Sequence, residues 1–318
     1  MTVFEHDPVM VDEITALFRD VPSGTIVDAT LGGGGHSAAI LASRPDLDVI
    51  GIDQDADAIA AAIERLAEFA DRVRTSRRRF DQFDEALADH GVTEISGALF
   101  DLGVSSPQLD RSERGFSYRH DGPVDMRMDG DQPWSADDVV NGYDERELAR
   151  IIKQHGDERF AKRIAAAIVA ARPVQTTTEL AEIVTSAIPA PARRTGGHPA
   201  KRTFQAIRIE VNDELGVLPS ALDQAVDATV AGGRVAVLSY HSGEDRIVKE
   251  RFAAAAGACD CPHDLPCVCG AIQTVRIVRR IAKRASATEQ ETNRRATSAL
   301  LRVVEKITPI RKSDGAVV

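Results

Sequence analysis

A run of four glycines constrains the fold of this chain more than any other feature. The run Gly32–Gly35 follows a β-branched stretch at residues 25–27 and precedes an alanine-rich segment, typical of a helix, that begins near Ala38. Glycine has no Cβ, so the backbone at such a strand-to-helix junction can approach a ligand closely. The first turn of the helix also presents unpaired N–H groups. The pattern therefore predicts a ligand site at the start of this helix.

The next predicted strand ends on an acidic residue. Residues 49–52 are apolar enough for a buried strand, and Asp53 follows at its tip. A carboxylate in this position accepts hydrogen bonds from ribose hydroxyls in nucleotide-binding folds. Together with the glycine run, Asp53 indicates a nucleoside-containing cofactor, whereas the run by itself also fits a turn without a ligand.

Two classes of cofactor fit the glycine run. Gly33, Gly35 and Ala38 satisfy the G-x-G-x-x-A pattern of dinucleotide-binding proteins, but four consecutive glycines meet many such patterns by chance. The alternative is S-adenosylmethionine, for which the acidic Asp28 at the end of the first strand precedes the loop that passes the methionine moiety. The chain has no G-x-x-x-x-G-K-[ST] segment, which argues against a nucleoside triphosphate site.

Composition and charge limit the class of protein. With 318 residues, 43% hydrophobic and 28% charged, the chain has the composition of a soluble globular protein. It has no apolar run of membrane-spanning length and no signal peptide, so we expect a cytoplasmic protein that does not bind a membrane. The net charge of −10 argues against bulk adhesion to nucleic acid, but residues 270–318 hold eleven Lys/Arg and four acidic residues. This basic segment fits either a phosphate-binding face or a solvated charged surface.

Short strands alternate with helices along the chain, which predicts an open α/β sheet. About a hundred residues without strand signals interrupt this pattern after the fourth strand, and amphipathic helices are predicted there at 144–155, 157–171 and from Thr176. We expect an α/β domain made of residues 1–107 and 201–308, an inserted helical domain at 108–200, and a disordered tail at 309–318. An insertion after the fourth strand lies at the carboxyl edge of the sheet, where ligands bind in such folds.

The segment that follows the fourth strand suggests the chemistry. Asp101–Asp110 contains Ser105-Ser106-Pro107, and methyltransferases that act on exocyclic amines carry a short polar motif with proline at this place. The lone pair of such an amine is conjugated into the ring, so acceptors placed around its N–H groups can align it for attack. Backbone carbonyls near Ser105 and Ser106 and the side chain of Asp101 are suitable acceptors. The alternative is an ordinary loop with a Ser-Pro turn.

Longer motifs connect the chain to one family. They are His6-x-Pro8-Val9, Gly33–Ser37, Asp101–Gln108, Arg114–Ser117, Gly122–Asp129, Arg202–Ala206 and Ser239–Arg246. Over nearly its full length the chain resembles the bacterial 16S ribosomal RNA cytosine-N4 methyltransferases, the RsmH or MraW family. The resemblance implies a class I S-adenosylmethionine-dependent methyltransferase fold, Rossmann-like, with a helical domain inserted after the fourth strand. It also implies transfer of a methyl group to N4 of a decoding-centre (P-site) cytidine in 16S rRNA of the small ribosomal subunit.

The resemblance also carries over site residues. The implied cofactor contacts are Gly34, Gly35, His36, Asp53, Phe80, Asp101 and Gln108. In this assignment the loop passes the methionine moiety, Asp53 holds the ribose and Phe80 packs on adenine. The three arginines before Phe80 depart from the smaller residues expected there, so a core role for Phe80 stays open.

The implied catalytic residues are Asp101, Ser105, Ser106, Pro107 and His241. His241 follows the fifth strand at the same edge, where it either accepts the amine proton or serves a positioning or structural role. Contacts to RNA are expected from Arg127 in the insertion and from a basic loop that otherwise reads as solvated. That loop contains Arg193, Arg194, Lys201 and Arg202.

All four cysteines fall within eleven residues: Cys259, Cys261, Cys267 and Cys269. Four thiolates suit a tetrahedral structural zinc ion, although paired C-x-C spacing is tighter than the usual C-x₂-C. Reduced thiols in a loop are the alternative, and the activity that the resemblance implies does not require the metal.

Three other functions compete with the rRNA methyltransferase. A DNA amino-methyltransferase is disfavoured because a Pro-Pro-aromatic motif is expected where Ser105-Ser106-Pro107 stands. A dehydrogenase is disfavoured because no catalytic His/Lys pattern accompanies the glycine run. A non-enzymatic ribosome-binding module would use the basic C-terminal segment and a zinc knuckle. The sequence leaves the oligomeric state open, with a homodimer among the alternatives.

Overall fold

The computed structural model of the protein describes residues 8–194, 197–259, 261, 270–279, 281, 283–293 and 295–311. The chain divides into two compact units. We call Met1–Gly103 with Val217–Val318 the sheet unit, and Val104–Gly216 the helical unit. None of the helices in the described ranges combines the length and the apolar character needed to cross a lipid bilayer.

A seven-stranded sheet forms the centre of the sheet unit. Its strands are β1 (Gly24–Asp28), β2 (Leu47–Asp53), β3 (Val73–Arg77), β4 (Ile95–Asp101), β5 (Thr229–Ser239), β6 (Ile272–Ile277) and β7 (Leu300–Arg311). They lie in the order β3-β2-β1-β4-β5-β7-β6. The pairs among β1 to β5 are parallel, and β7 runs antiparallel to both β5 and β6. The predicted α/β sheet is thereby confirmed.

Both units contain helices. They are α1 (Val11–Leu17), α2 (Gly35–Ser43), α3 (Ala56–Arg65), α4 (Phe83–Asp89), α5 (Ser106–Asp110), α6 (Glu145–Gly156), α7 (Ala161–Ala171), α8 (Thr177–Ala187), α9 (Lys201–Asn212), α10 (Glu214–Ala228), α11 (Ser242–Ala255) and α12 (Ala287–Thr292). Two clusters of buried apolar side chains, one containing Ile26 and Leu99 and the other Val27 and Phe100, pack in the sheet unit. Successive residues of a strand face opposite sides, so β1 and β4 contribute to both clusters.

The helical unit has its own apolar core, built mainly from α6, α7, α8 and α9. Its helices begin where the sequence provides caps. The Asp144 carboxylate accepts from the N–H of Glu147 at the start of α6, and the Thr176 hydroxyl accepts from the N–H of Glu179 at the start of α8. Such caps satisfy N–H groups that have no partner within the helix.

The helical unit extends further than the sequence suggested. We expected the insertion to span 108–200 and the following helix to return to the sheet domain, but the compact unit runs from Val104 to Gly216 and includes α9. The helix α9 packs against α6, and a Cβ on Gly156 would lie 2.5 Å from the carbonyl oxygen of Arg202. This close approach ties α9 to the helices before it in the chain.

The carboxyl-terminal strand is longer than predicted. The strand β7 continues to Arg311, which pairs with Ile272 of β6. The expectation of disorder from residue 309 is therefore wrong for 309–311, because these residues continue the β6–β7 ladder. Residues 312–318 of the predicted tail lie outside the described residues.

The strand β4 passes its neighbours so closely at Gly97 that a side chain does not fit. A Cβ there would lie 2.5 Å from the carbonyl oxygen of Arg234 and 2.8 Å from Cε1 of Phe18. We expect Gly97→Ala to lower the free energy of unfolding by about 1–3 kcal/mol, since the crowded partner is backbone that must shift. Denaturant unfolding measures the change. Gly33→Ala is the control, because a Cβ at Gly33 meets nothing within 4 Å; equal losses in both variants would contradict the packing argument.

Candidate active site

Three acidic residues end neighbouring parallel strands of the sheet unit. Asp28 is the last residue of β1, Asp53 of β2 and Asp101 of β4. Asp28 is in register with Gly51 of β2 and with Leu99 of β4. Because the carboxyl ends of parallel strands meet at one edge, these carboxyl groups lie along the edge where ligands bind in open α/β sheets.

The glycine run turns from β1 into α2 along this edge. Gly32 and Gly34 have φ angles of +52° and +72°, which side-chain-bearing residues rarely adopt, and Gly34 is the N-cap of α2. A Cβ on Gly35 would lie 2.6 Å from Cγ of Pro8. The run is therefore required by backbone conformation and by close packing, while Gly33 at its centre is exposed.

Asp53 connects the glycine loop to the tip of β2. One carboxylate oxygen accepts from the N–H of Gly32 at 2.8 Å, and the other accepts from the N–H of Asp55 at 2.9 Å. Burial raises the pKa of Asp53 to about 6, although these two hydrogen bonds act in the opposite direction. Asp53 is thus fixed in orientation and changes charge close to neutral pH.

Asp28 lies deeper than the other two carboxyl groups. One of its oxygens accepts from the hydroxyl of Ser37 at 2.7 Å, and burial raises the pKa of Asp28 above its usual range. Ser37 belongs to the first turn of α2, so this bond anchors the helix start to the end of β1. Asp28 therefore anchors the start of α2, and with it the glycine run, from a buried position.

Asp101 has the most polar surroundings of the three. Its N–H donates to the hydroxyl oxygen of Thr30 at 2.6 Å, and its Oδ1 accepts from the hydroxyl of Tyr240 at 2.5 Å. Its Oδ2 lies 3.8 Å from Nη2 of Arg295 and 4.0 Å from Nδ1 of His36. The Asp101 carboxylate is therefore held by one hydrogen bond and flanked by two nitrogen-bearing side chains.

His36 is buried in the first turn of α2. Its Nε2 lies 2.9 Å from the carbonyl oxygen of Val9, a contact that directs Nδ1 toward Asp101. The next residue, Met10, donates its N–H to Oε1 of Glu289 in α12 at 2.7 Å. The segment Val9–Met10 therefore contacts both the glycine loop and a helix close to Arg295 in the chain.

His241 is the N-cap of α11. Its Nδ1 accepts from the N–H groups of Gly243 and Glu244 at 3.2 and 3.4 Å, and the buried Glu244 returns a bond to the N–H of His241. Accepting at Nδ1 places the ring hydrogen of neutral His241 on Nε2, which lies 3.1 Å from Oε1 of Glu244. Of the two roles that the sequence left open, this geometry supports the structural one, since Nδ1 of His241 caps α11.

Phe80 lies three residues beyond the end of β3 and is partly buried. Its ring packs edge-on against Phe100 of β4, with a centroid distance of 6.1 Å. Phe80 therefore contributes to the apolar packing of the sheet unit, and part of its ring remains exposed.

The polar segment after β4 belongs to the helical unit. Ser105 caps the short helix α5, and Ser106 and Pro107 are the first residues of that helix. Oε1 of Gln108 accepts from the N–H of Ser105 at 3.0 Å, and the N–H of Gln108 donates to Oγ of Ser105 at 3.4 Å. This reciprocal capping box fixes the backbone of the segment, and it gives Gln108 a structural contact beside its predicted contact to the cofactor.

The basic residues predicted to contact RNA are also in the helical unit. The Arg127 guanidinium donates to both oxygens of Asp125, with a shortest distance of 2.7 Å, and to the carbonyl oxygen of Gln132. Nε of Arg193 donates to the carbonyl oxygen of Ile188, and Nη1 of Arg202 donates to that of Asp157. Arg127 is partly buried, whereas Arg193 and Arg202 are exposed, and internal contacts occupy some of the donors of all three.

The proposed zinc site is covered only in part by the structure. Cys259 and Cys261 are described, whereas Cys267 and Cys269 lie outside the described residues. Among the described residues no group of three or more His, Cys, Asp or Glu side chains is placed to hold a metal ion. The structure thus provides no support for zinc.

Comparison with known proteins finds one family model and relatives that match nearly the whole chain. The model of the MraW methylase family matches residues 3–307. A protein of Symbiobacterium thermophilum named ribosomal RNA small subunit methyltransferase H is 51% identical over 309 residues, covering 96% of this chain and 97% of that protein. Proteins of the same name from Heliobacterium modesticaldum and from Mycobacterium sp. (strain KMS) are 50% and 52% identical, over 96% and 95% of this chain and 99% and 84% of their own lengths.

The strand order with an antiparallel seventh strand, the glycine loop before α2 and the acidic strand ends define a class I methyltransferase, an enzyme fold that uses S-adenosylmethionine. The match over nearly the whole chain specifies the group within this class: the chain belongs to the MraW methylase family.

Two residues of the site, Tyr240 and Arg295, were not predicted from the sequence. Tyr240 stands in the motif next to His241, and its position directly after β5 was the signal that could have identified it. Arg295 has no local signal, since it is one of many basic residues in the C-terminal segment and reaches Asp101 only through the fold.

We expect the affinity for the cofactor to depend on pH, because Asp53 is the predicted ribose contact and has a pKa of about 6. With a pKa of about 6, raised by burial, Asp53 is mostly neutral at pH 5 and mostly ionised at pH 7. The ionised form accepts hydroxyl hydrogen bonds better, so we expect S-adenosylhomocysteine to bind about tenfold more weakly at pH 5 than at pH 7. Isothermal titration calorimetry at the two pH values measures this ratio.

Two variants assign the pH effect to this residue. In Asp53→Asn the affinity should be low and nearly independent of pH over the same range. Asp46→Asn is the control, because Asp46 is an exposed carboxylate paired with Arg44. A wild-type affinity that does not change between pH 5 and pH 7 would contradict the role of Asp53.

Proposed function

We propose that the protein transfers a methyl group from S-adenosylmethionine to N4 of a decoding-centre (P-site) cytidine in 16S rRNA of the small ribosomal subunit. The observation that carries the proposal is the Asp101 carboxylate at the edge of the sheet, held by Tyr240 at Oδ1. The names of the relatives support ribosomal RNA as the substrate. The choice of the cytosine amine rests on the segment Ser105-Ser106-Pro107 and on the family resemblance.

The chemistry of the site fits the cofactor. The exposed Gly33 and the helix start at Gly34 and Gly35 offer backbone for the methionine moiety, and the acidic Asp53 at the tip of β2 suits the ribose hydroxyls. His36 and Phe80 border this region, and we assign Phe80 to the adenine ring. When bound, S-adenosylmethionine supplies a methyl group on a positively charged sulfur.

Asp101 performs the central task in this proposal. An exocyclic amine is a poor nucleophile because its lone pair is delocalised into the ring. An acceptor at one of its N–H groups turns the nitrogen so that the lone pair points toward the methyl carbon, and such positioning accounts for much of the rate in transfer reactions. The backbone carbonyls of Ser105 and Pro107 accept from the N–H groups of Leu109 and Arg111 in α5, so the positioning proposed here rests on Asp101.

The acidic character of the protein bears on its partner. The net charge is −10, and residues 270–318 hold only eleven of the 39 Lys and Arg residues, so non-specific attraction to RNA is weak. We therefore favour a structured small subunit over naked RNA as the substrate, because a folded particle itself positions the target cytidine. A ribosome-binding module without enzymatic activity is the second candidate. Such a module would bind the small subunit without using the cofactor.

Incubation of the protein with methyl-labelled S-adenosylmethionine and small subunits that lack the modification tests the proposal. We expect the label in N4-methylcytidine after nucleoside analysis, because the polar segment suits an exocyclic amine. Naked 16S rRNA serves as the comparison substrate. Binding of the cofactor without transfer to either substrate would contradict the proposal, and binding of subunits alone would favour the non-enzymatic module.

Asp101→Ala should abolish turnover, with a loss of at least about a hundredfold in kcat, since it removes the acceptor for the amine. The fold should persist because the N–H of Asp101 still donates to Thr30. Circular dichroism and the temperature of thermal unfolding provide the checks on folding, since Asp101 is itself a predicted cofactor contact. Activity of Asp101→Ala close to that of wild type would refute the assignment of the site.

A further inference from the structure

The two oxygens of the Asp101 carboxylate have different surroundings. Oδ1 accepts from Tyr240 at 2.5 Å, a short charge-assisted distance. Oδ2 lies 3.8 Å from Nη2 of Arg295 and 4.0 Å from Nδ1 of His36, and both distances exceed that of a normal hydrogen bond. Oδ2 is therefore the oxygen that retains capacity to accept a hydrogen bond.

Tyr240 is a fixed donor to Oδ1. Burial, followed by the negative charge of Asp101, raises the pKa of Tyr240 well above its usual range, so the phenol keeps its proton. The backbone of Tyr240 is also fixed, because its N–H donates to Oε2 of the buried Glu244 at 2.7 Å. The hydroxyl of Tyr240 thus approaches Asp101 from a rigid position at the end of β5.

Arg295 contacts both members of this pair. Its guanidinium carbon lies 5.3 Å from the centroid of the Tyr240 ring, within the range of a cation–π contact. Its Nη2 also faces Oδ2 of Asp101. A positive charge in this place strengthens the phenol as a donor.

We infer that Tyr240 and Arg295 are positioning residues for Asp101, holding its carboxylate so that Oδ2 accepts an N–H of the target amine. This inference rests on the function proposed above and adds two residues to its site. A carboxylate that turns about its Cβ–Cγ bond presents either oxygen, and the bond from Tyr240 removes that freedom. Loss of such alignment costs up to about a hundredfold in rate.

A purely structural role is the competing explanation. Tyr240 and Asp101 belong to the ends of adjacent strands, so their hydrogen bond also joins β5 to β4. If the role were purely structural, loss of the Tyr240–Asp101 hydrogen bond would lower the free energy of unfolding and leave kcat per folded molecule unchanged. The experiment must therefore separate kcat from KM, from cofactor affinity and from stability.

Tyr240→Phe removes the hydroxyl and keeps the ring beside Arg295. We expect kcat on small subunits to fall by about 10–100-fold, while KM for subunits and Kd for S-adenosylhomocysteine stay within about twofold. The matched control is Tyr143→Phe, because Tyr143 donates to Oε1 of Glu210 at 2.8 Å within the helical unit. The control makes the same change at another tyrosine–carboxylate pair and should leave kcat unchanged.

Two substitutions of Arg295 test the cationic partner. Arg295→Gln should lower kcat, and Arg295→Lys should retain most of it because the charge and part of the ring contact remain. A rise in KM for subunits at unchanged kcat in Arg295→Gln would show that Arg295 serves RNA binding, and would overturn its role toward Asp101.

A spectroscopic readout examines the pair without turnover. The chain has three tyrosines, so ¹³Cζ-labelled tyrosine gives a simple spectrum in which Tyr240→Phe assigns one resonance. This resonance should shift in Asp101→Asn, while the resonance of Tyr143 should stay in place. No shift at Tyr240 would refute the hydrogen bond on which the inference depends.

The outcomes distinguish this inference from the proposed function. Wild-type protein that binds the cofactor but never labels subunits refutes the proposed function and, with it, the role of Oδ2. Wild-type protein that labels subunits, together with a Tyr240→Phe variant of full kcat, refutes only the positioning role. A reduced kcat in Tyr240→Phe with unchanged KM, cofactor affinity and stability supports the inference.

Discussion

The parallel pairing of β1 with β2 on one side and with β4 on the other is the constraint on which the site depends. It brings Asp28, Asp53 and Asp101 to one edge, although they are separated by dozens of residues in the chain. A shift of one residue in either pairing would turn the terminal side chain to the opposite face. The buried apolar residues of these strands fix the register, so the geometry of the edge follows from the packing of the core.

Several carboxyl groups at one edge carry an electrostatic cost, and the structure offsets it differently at each strand end. Burial raises the pKa of Asp28 and of Asp53, and hydroxyl or backbone donors partly oppose that effect. Asp101 instead has a phenol donor and an arginine beside it. Identical residue types at equivalent strand ends thereby have different surroundings: Asp28 anchors the loop, while Asp53 and Asp101 are the residues proposed to bind the ribose and to orient the amine.

The parts of the site that depend on local sequence could be predicted. The glycine run and the acidic residues at the ends of β1, β2 and β4 depend on patterns of a few neighbouring residues, so the sequence was sufficient to identify them. The contact of Arg295 with Asp101 spans most of the chain and leaves no periodic signal. His241 was selected because of its chemistry, yet its immediate role is a helix cap, a position that Ser, Thr, Asp or Asn usually occupies. The extent of the helical unit was underestimated because an amphipathic helix such as α9 does not specify which core it joins.

The contacts of Val9–Met10 with the glycine loop and with α12 have a consequence for biosynthesis. During translation the glycine run and the acidic strand ends leave the ribosome long before the segment that contains Glu289 and Arg295. A growing chain therefore has an acidic edge without its balancing cation, and the edge is completed only when the last strands join the sheet. Nascent chains that stop before residue 289 would contain the glycine loop with its contacts to Pro8 and Val9, but would lack the bond from Met10 to Glu289.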